Sequence, residues 1–536
     1  MPERVQKNAA FINGMSITGT QCRVIDTSPN SGMCPICIHD CPFLCEISLS
    51  AFRGREVLYP SPQYFGTCTA ASLKDYGLTW EDLNIMAELL GAKGIEADSD
   101  LALFENADVT TSVGGIPLKL PIVAGAWGST RVGEANWDGL AVGTALSGVT
   151  LVIGENVCGM DQKSSFTNEK VTYSADMEFR VKKYREFWDG KYGEVVVQTN
   201  VEDQRLGVDE YVISKLGVNV IERKWGQGAK AIGGEVRLRT LDRAKLLKSR
   251  GYIVIPDPED PEIEEAFKAG VFDTFERHSR VGMPKPRSFV EDVQWLRERG
   301  AKKVTIKTGA YRPSTVAWTL KVASEAEVDY VTFDGAGGGT GMSPVPMMNE
   351  MSTPTVYLAA QVLKCCQILK KKGRYVPDIV IAGGFINETQ IYKALALSNF
   401  GDGAFFKAVC MGRSPLTAVM KADYFLQLGK EGKLPKTFTD LYGNTPEKYY
   451  LALPGLRQTY GAEKVKTMPY QGIALYTYFT DRIGTGLKQL LAGSRKFKLD
   501  LLDRCNLASL SERAAKVTGI PLLEDLDAEE MEQILS

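Results

Sequence analysis

The sequence predicts an α/β fold: a TIM (β/α)8 barrel, preceded by a cysteine-rich segment and followed by a helical extension. Three observations carry this reading. Strand-like and helix-like runs alternate from Leu120 to about Lys436 and make eight β/α units. Several strand-like runs end in glycine-rich or charged loops, as they do where an α/β barrel builds a phosphate site on its C-terminal face. Beyond Lys436 the alternation stops and the remaining residues read as helices. A doubly wound open sheet has the same local signature and is the structural alternative.

Taken in order, residues 1–105 form the cysteine-rich segment, 106–435 the barrel and 436–536 the extension. Thr79–Leu90, TWEDLNIMAELL, reads as an amphipathic helix with Thr79 as N-cap and Glu81 and Asp82 in its first turn. From Ala107 a hairpin leads into a buried strand at Leu120–Ala124. Further strands are expected at Val149–Ile153, Glu194–Thr199, Val218–Glu222, Lys303–Lys307, Val328–Phe333, Asp378–Ala382 and Gly403–Phe406. Helices fit between them at Glu134–Leu146, Met177–Phe187, Val208–Leu216, Ser288–Arg299, Thr315–Ala326, Thr355–Lys370 and Glu388–Leu397. The Pro- and acid-rich stretch Ile255–Glu265 belongs to an insertion between units four and five. The extension holds helices at Arg482–Leu491, Leu510–Val517 and from an Asp527 cap to Leu535.

Charge is close to balanced, with Lys+Arg 63 against Asp+Glu 65, so nothing favours nucleic acid or an anionic membrane. No apolar run approaches the ~20 residues of a membrane span. The first residues, MPERVQKNAAF, lack an apolar signal core, so a cytoplasmic protein is expected. The two histidines, His39 and His278, largely exclude chemistry that rests on several imidazoles.

Four of the eleven cysteines fall within twelve residues: Cys34, Cys37, Cys41 and Cys45, in CPICIHDCPFLC. In a reducing compartment a tight cluster reads as metal-binding before it reads as disulfide. The spacing lets four thiolates converge on one centre. Zinc usually uses two separated pairs, whereas a compact run with proline beside cysteine resembles a four-iron cluster. A [4Fe-4S] cluster is therefore expected, with zinc and unliganded thiols as the alternatives. The vicinal Cys365 and Cys366 lie in an apolar helical pattern and read as core.

The stretch 331–344, VTFDGAGGGTGMSP, is the densest candidate site. Its glycines let backbone N–H groups approach an anion closely. No acidic residue closes a following strand about 20 residues on, so it is not a dinucleotide fingerprint. Strand-then-glycine units recur at 378–384, DIVIAGG, and more weakly at 400–406, FGDGAFF. Gln227 and Lys230 sit among glycines after the fourth strand, Glu155 follows the second, and Lys307 ends the fifth. On a barrel all of them share the C-terminal face, where perturbed charged groups gather.

In this order QGAK, a paired glycine, a lysine-ended strand, GGTGxSP and a strand ending in Gly-Gly resemble the FMN-binding synthase domain of glutamate synthases, over roughly residues 107–435. The resemblance implies FMN as cofactor. It implies that Gln227 and Lys230 face flavin and oxo-acid, and that Lys307 sits near the flavin N1–O2 edge, where a cation stabilises the reduced ring. Gly338, Gly339, Thr340, Gly341 and Ser343 match the glycine loop. Gly383, Gly384, Gly403 and Ala404 match the phosphate cradle. Gly125, Ala126 and Ser129 match the loop that covers the ring, and Glu155 matches a glutamate on the ammonia-handling side. Glu155, Lys230 and Lys307 are the expected catalytic residues.

The chain departs from that family in three places. The His-Asp before GGTG is Ala336-Gly337, the Asp-Gly-Gly is Ala382-Gly383-Gly384, and the cysteine stretch of a three-iron cluster is reduced to Cys410. The chain begins Met1-Pro2-Glu3, without a nucleophilic cysteine, so ammonia is expected from solution or a partner. The expected activity is an FMN- and iron–sulfur-dependent reductive amination of 2-oxoglutarate to glutamate. Electrons would come from ferredoxin or a separate NAD(P)H-oxidising subunit, and a homo-oligomer is left open. The alternatives are a related oxidoreductase for another small acid or amine, and an electron-transfer or scaffold subunit without turnover.

Overall fold

The computed structural model describes residues 46–58, 72, 74–228, 230–340 and 342–536. The expected cluster ligands Cys34, Cys37, Cys41 and Cys45, and Gly341 of the glycine loop, lie outside the described residues.

Eight parallel strands close into a barrel in chain order. They are β1 (Ile122–Trp127), β2 (Thr150–Ile153), β3 (Val195–Thr199), β4 (Val220–Lys224), β5 (Lys303–Thr308), β6 (Tyr330–Asp334), β7 (Asp378–Ala382) and β8 (Phe406–Met411). Each is followed by a helix on the outside: α1 (Trp137–Leu146), α2 (Ala175–Phe187), α3 (Val208–Leu216), α4 (Pro286–Glu298), α5 (Pro313–Glu325), α6 (Thr355–Lys371), α7 (Glu388–Leu397) and α8 (Arg413–Lys430). The helix starts are set locally. Ser174 caps α2 by accepting from the Met177 N–H, Asn387 caps α7 by accepting from the Gln390 N–H, and proline opens α4 and α5. The open-sheet alternative is excluded by the β4–β5 and β8–β1 pairings, which complete the ring.

Two expectations are corrected. The last strand begins at Phe406, where 403–406 was expected, because Gly401 and Gly403 donate their N–H groups to the Asn399 side chain and form the turn before it. The expected helix Thr79–Leu90 is one 3-10 turn, Trp80–Asp82, with Thr79 and Asp82 forming a capping box. Its continuation is drawn into a strand, Leu83–Ile85, which pairs antiparallel with Leu507–Ser509 near the other end of the chain. The tertiary partner overrides the helical pattern. Leu89 and Leu90, which a helix would have buried, are exposed.

The period of two along each strand sorts side chains between two layers. Ile221 of β4 points outward to the helices. Arg223, on the same outward face, is buried and wedged between α3 and α4, bonded to Asp209 at 2.7 Å and Asp292 at 2.6 Å. Inward-facing Val123, Val152, Val196, Val220, Val380 and Ala408 fill the lower barrel. The hairpin Thr111–Val113/Ile116–Leu118 plugs the N-terminal end, and the Gly114 N–H donates to Asp378 at 2.8 Å. The insertion lies within unit four, between β4 and α4, and not between units four and five as expected; it builds a three-stranded antiparallel sheet from Glu235–Leu238, Ile253–Ile255 and Phe275–His278. In the extension, Tyr470–Tyr476, a π-helical stretch Thr477–Gly484 and Thr485–Gly493 follow without a break, and the first of them packs on α1. The final helix, Ala528–Leu535, starts where expected, but Asp527 is left-handed at φ 56° and its side chain makes no cap hydrogen bond.

Candidate active site

The strands' C-terminal ends enclose a cavity of about 710 Å³, within the range of small-molecule and cofactor sites. Its floor is the top inward row of the barrel. Lys307 of β5 lies 3.7 Å from the Asp334 carboxylate of β6 and 4.0 Å from the Cys410 sulfur of β8. The Cys410 thiol donates to the Gly125 carbonyl of β1 at 3.1 Å. Burial disfavours a charge on Lys307, but the carboxylates of Asp334, Glu222 and Glu155 outweigh it, and the ammonium is held firmly protonated. Burial pushes the Cys410 thiol up to about 11.

Beside the floor stands a second cationic group. Lys224 ends β4 and lies 3.7 Å from Glu155, 3.1 Å from the Gln227 side-chain oxygen and 3.3 Å from that of Gln198. Glu155 belongs to the turn after β2. That turn is held by Asp203, whose carboxylate accepts the Asn156 N–H, and Asn156 itself is left-handed at φ 66°. Burial opposes ionisation of Glu155, yet Lys224, Lys230 and Lys307 hold its carboxyl down at about 2. Burial lowers Lys230 to about 8, against the pull of Glu155. Arg277, from the inserted sheet, also faces the cavity. It is buried, and its Nε has no hydrogen-bond partner among the described residues.

The opposite side of the cavity is made of backbone. Gly337–Thr340 after β6, Gly383–Ile386 after β7 and Gly412–Ser414 at the start of α8 line it. These loops touch so closely that side chains are excluded. A Cβ on Gly337 would strike the Gly383 carbonyl, and Gly383 has a φ of +122° that only glycine tolerates well. Arg413 ties the loops together by donating to the Gly337 carbonyl at 2.9 Å. An 18-residue helix whose N-terminus meets bare N–H groups favours an anion there.

The cavity thus brings together Gly125, Ala126, Ser129, Glu155, Gln227, Lys230, Lys307, Gly338, Gly339, Thr340, Gly383 and Gly384. It does not include Ser343, which is fully buried beneath the glycine loop. Gly403 and Ala404 are corrected: they precede β8, at the barrel's other end, where Ala404 bridges to Asn399. Residues 412–414 stand where those two were expected. Reasoning from sequence also missed Lys224 and Arg277. Lys224 was legible, because Val220, Glu222 and Lys224 share one face at a period of two. Arg277 was not, since nothing local says that the insertion folds back over the barrel mouth.

Residues 281–419 match the conserved region of glutamate synthase. The archaeal-type glutamate synthase [NADPH] of Thermotoga maritima is 32% identical over 124 residues, covering 21% of this chain and 24% of the relative. Its counterpart in Thermotoga neapolitana is 31% identical over 146 residues, covering 25% and 26%. The chain therefore spans about a quarter of the length of these relatives. Among solved structures, a pyruvate-bound mutant of flavocytochrome b2 is 14% identical, with 87% of this chain and 86% of that chain covered and a TM-score of 0.47. A mutant chimera of (S)-mandelate dehydrogenase is 16% identical, with 80% and 88% covered and a TM-score of 0.41. Across residues 281–419, which carry β5 to β8, Lys307 and both glycine loops, the chain is glutamate synthase-like.

Proposed function

We propose that the barrel binds FMN and acts as a glutamate synthase-type oxidoreductase that reductively aminates 2-oxoglutarate. The observation that carries this reading is one cavity with two unlike ends: a glycine cradle at the α8 N-terminus, and a chamber where Lys224, Lys230 and Arg277 face Glu155. The residues fit FMN. The Gly383–Gly384 turn and the Gly412–Arg413 helix start suit its phosphate, and Lys307 suits the electron-rich edge of its ring. When bound, the flavin supplies hydride to an imine carbon. Lys230, with Gln227 beside it, fixes a carboxylate over the ring. Three cations against one carboxylate favour a dianionic acid over a monoanion. Glu155, held ionised, positions ammonia and stabilises by its charge the cationic imine that receives the hydride.

Cys34, Cys37, Cys41 and Cys45 have the donor set of a [4Fe-4S] cluster, which would pass electrons from ferredoxin or an NAD(P)H-oxidising subunit toward the barrel. Ammonia is supplied from solution or by a partner. A second reading, a different small acid or amine, is favoured by Ala336-Gly337, where the chain lacks the polar pair of the family it resembles.

Acid extraction of anaerobically purified protein tests the cofactor. FMN is expected; recovery of FAD, or of no flavin, overturns the reading.

A further inference from the structure

Directly beneath the cavity floor, four adjacent strands contribute polar groups to one interior row. Gln198 of β3, Glu222 of β4, Thr305 of β5 and Tyr330 of β6 are register partners in sequence around the ring, so their side chains form one inward row. Lys224, Lys307 and Thr332 form the next row up, at the floor itself. Glu222 is 1% exposed. Its carboxylate accepts from the Gln198 amide at 2.5 Å and the Thr305 hydroxyl at 3.2 Å, both neutral donors. The Thr332 hydroxyl, buried in the row above, has no partner among the described residues. Such a buried polar row calls for an internal water or a movable proton.

A structural carboxylate inside a barrel would be expected to carry its own counter-ion. Among the described residues Glu222 has no ion pair in contact. The cations nearest to it are already engaged, Lys224 with Glu155 and Lys307 with Asp334. The other titratable groups that face it are Tyr330 of β6 and Cys410 of β8, both held protonated by burial. Its charge therefore depends on how much of the lysines' field is free, and that field is what an electron pair arriving at the floor would consume.

We propose that Glu222 is a buried proton-holding residue, ionised while the ring above Lys307 is oxidised and protonated when that ring is reduced. The inference rests on the FMN reading given above. The balance is two electrons from the reductant, one proton to the flavin ring and one to a Glu222 oxygen. Lys307 then compensates the reduced ring instead of Glu222. Burial raises the Glu222 carboxyl above its ordinary range, in the direction this role needs.

The test is a dithionite potentiometric titration of the FMN-bound protein as a function of pH. Wild type should take up two protons per electron pair near neutral pH, and Glu222→Gln only one, with FMN bound in both. An equal proton count in the two proteins overturns the proposal. A redox-induced infrared difference spectrum of wild type reads the same event without a variant. A protonated-carboxyl C=O band should appear on reduction, and its absence contradicts the inference even if Glu222→Gln fails to fold. Protein that holds no FMN fails the earlier reading instead, and is recognised at once from the absorbance spectrum.

Discussion

Lys230 and Glu155 face the same chamber with opposite charges, and their removal should have separable effects. Pairing a carboxylate with a partly desolvated lysine is worth on the order of 2–5 kcal/mol, counting the charge left unpaired. Lys230→Ala should therefore raise KM for the acid by roughly 30-fold or more while FMN stays bound. Burial brings Lys230 to about 8, so its cation is present below that pH and lost above it. Wild-type KM should be flat below pH 8 and climb above it, and the climb should vanish in Lys230→Ala; steady-state kinetics across pH reads both. Glu155→Gln should instead lower kcat by about 10²-fold with little change in KM, the range for loss of one charged group aimed at the reacting centre. A rise in KM without loss of kcat would assign Glu155 to binding. At this scale the sequence was informative wherever a charged residue directly ends a strand, as Lys307 does. It was less so where the strand end was placed short, as at Lys224, and uninformative for Arg277, which reaches the cavity from an inserted sheet.

Among the elements, β4 depends on one buried ion pair. Arg223 spans the layer between β4, α3 and α4, with Asp209 almost fully buried beside it. Arg223→Leu leaves that carboxylate without its cation and with only the Thr199 hydroxyl donating to it, and breaking such a buried pair costs about 3–5 kcal/mol. Urea unfolding should show a lower midpoint of that size, whereas a loss under 1 kcal/mol would mean that Asp209 is neutralised or solvated. Seven of the eight strands and most barrel helices were legible because parallel strands buried on both faces read as apolar runs, and because caps such as Ser174 and Asn387 mark helix starts. The β8 boundary was missed because Gly401–Phe406 has strand-like apolar residues inside a turn. The Thr79–Leu90 pattern misled for a different reason. Its apolar residues serve a strand whose partner, Leu507–Ser509, is more than 400 residues away.

For the whole molecule, the proposed FMN site and the proposed cluster ligands lie on different segments of the chain. Cys37→Ser should lose iron and acid-labile sulfide yet retain FMN, because the proposed cluster ligands and the cavity residues do not overlap. Iron, sulfide and flavin analysis of one preparation measures all three, and zinc in place of iron would overturn the cluster. The fold was readable because it repeats a local unit eight times. The chamber that selects the substrate was less so, because it is assembled from loops after different strands and from an insertion between them. The most direct measurement of the central claim is a titration of the oxidised flavin spectrum with 2-oxoglutarate. A perturbation that saturates in wild type and disappears in Lys230→Ala is the predicted result. No perturbation up to millimolar acid, in protein that carries flavin, would contradict it.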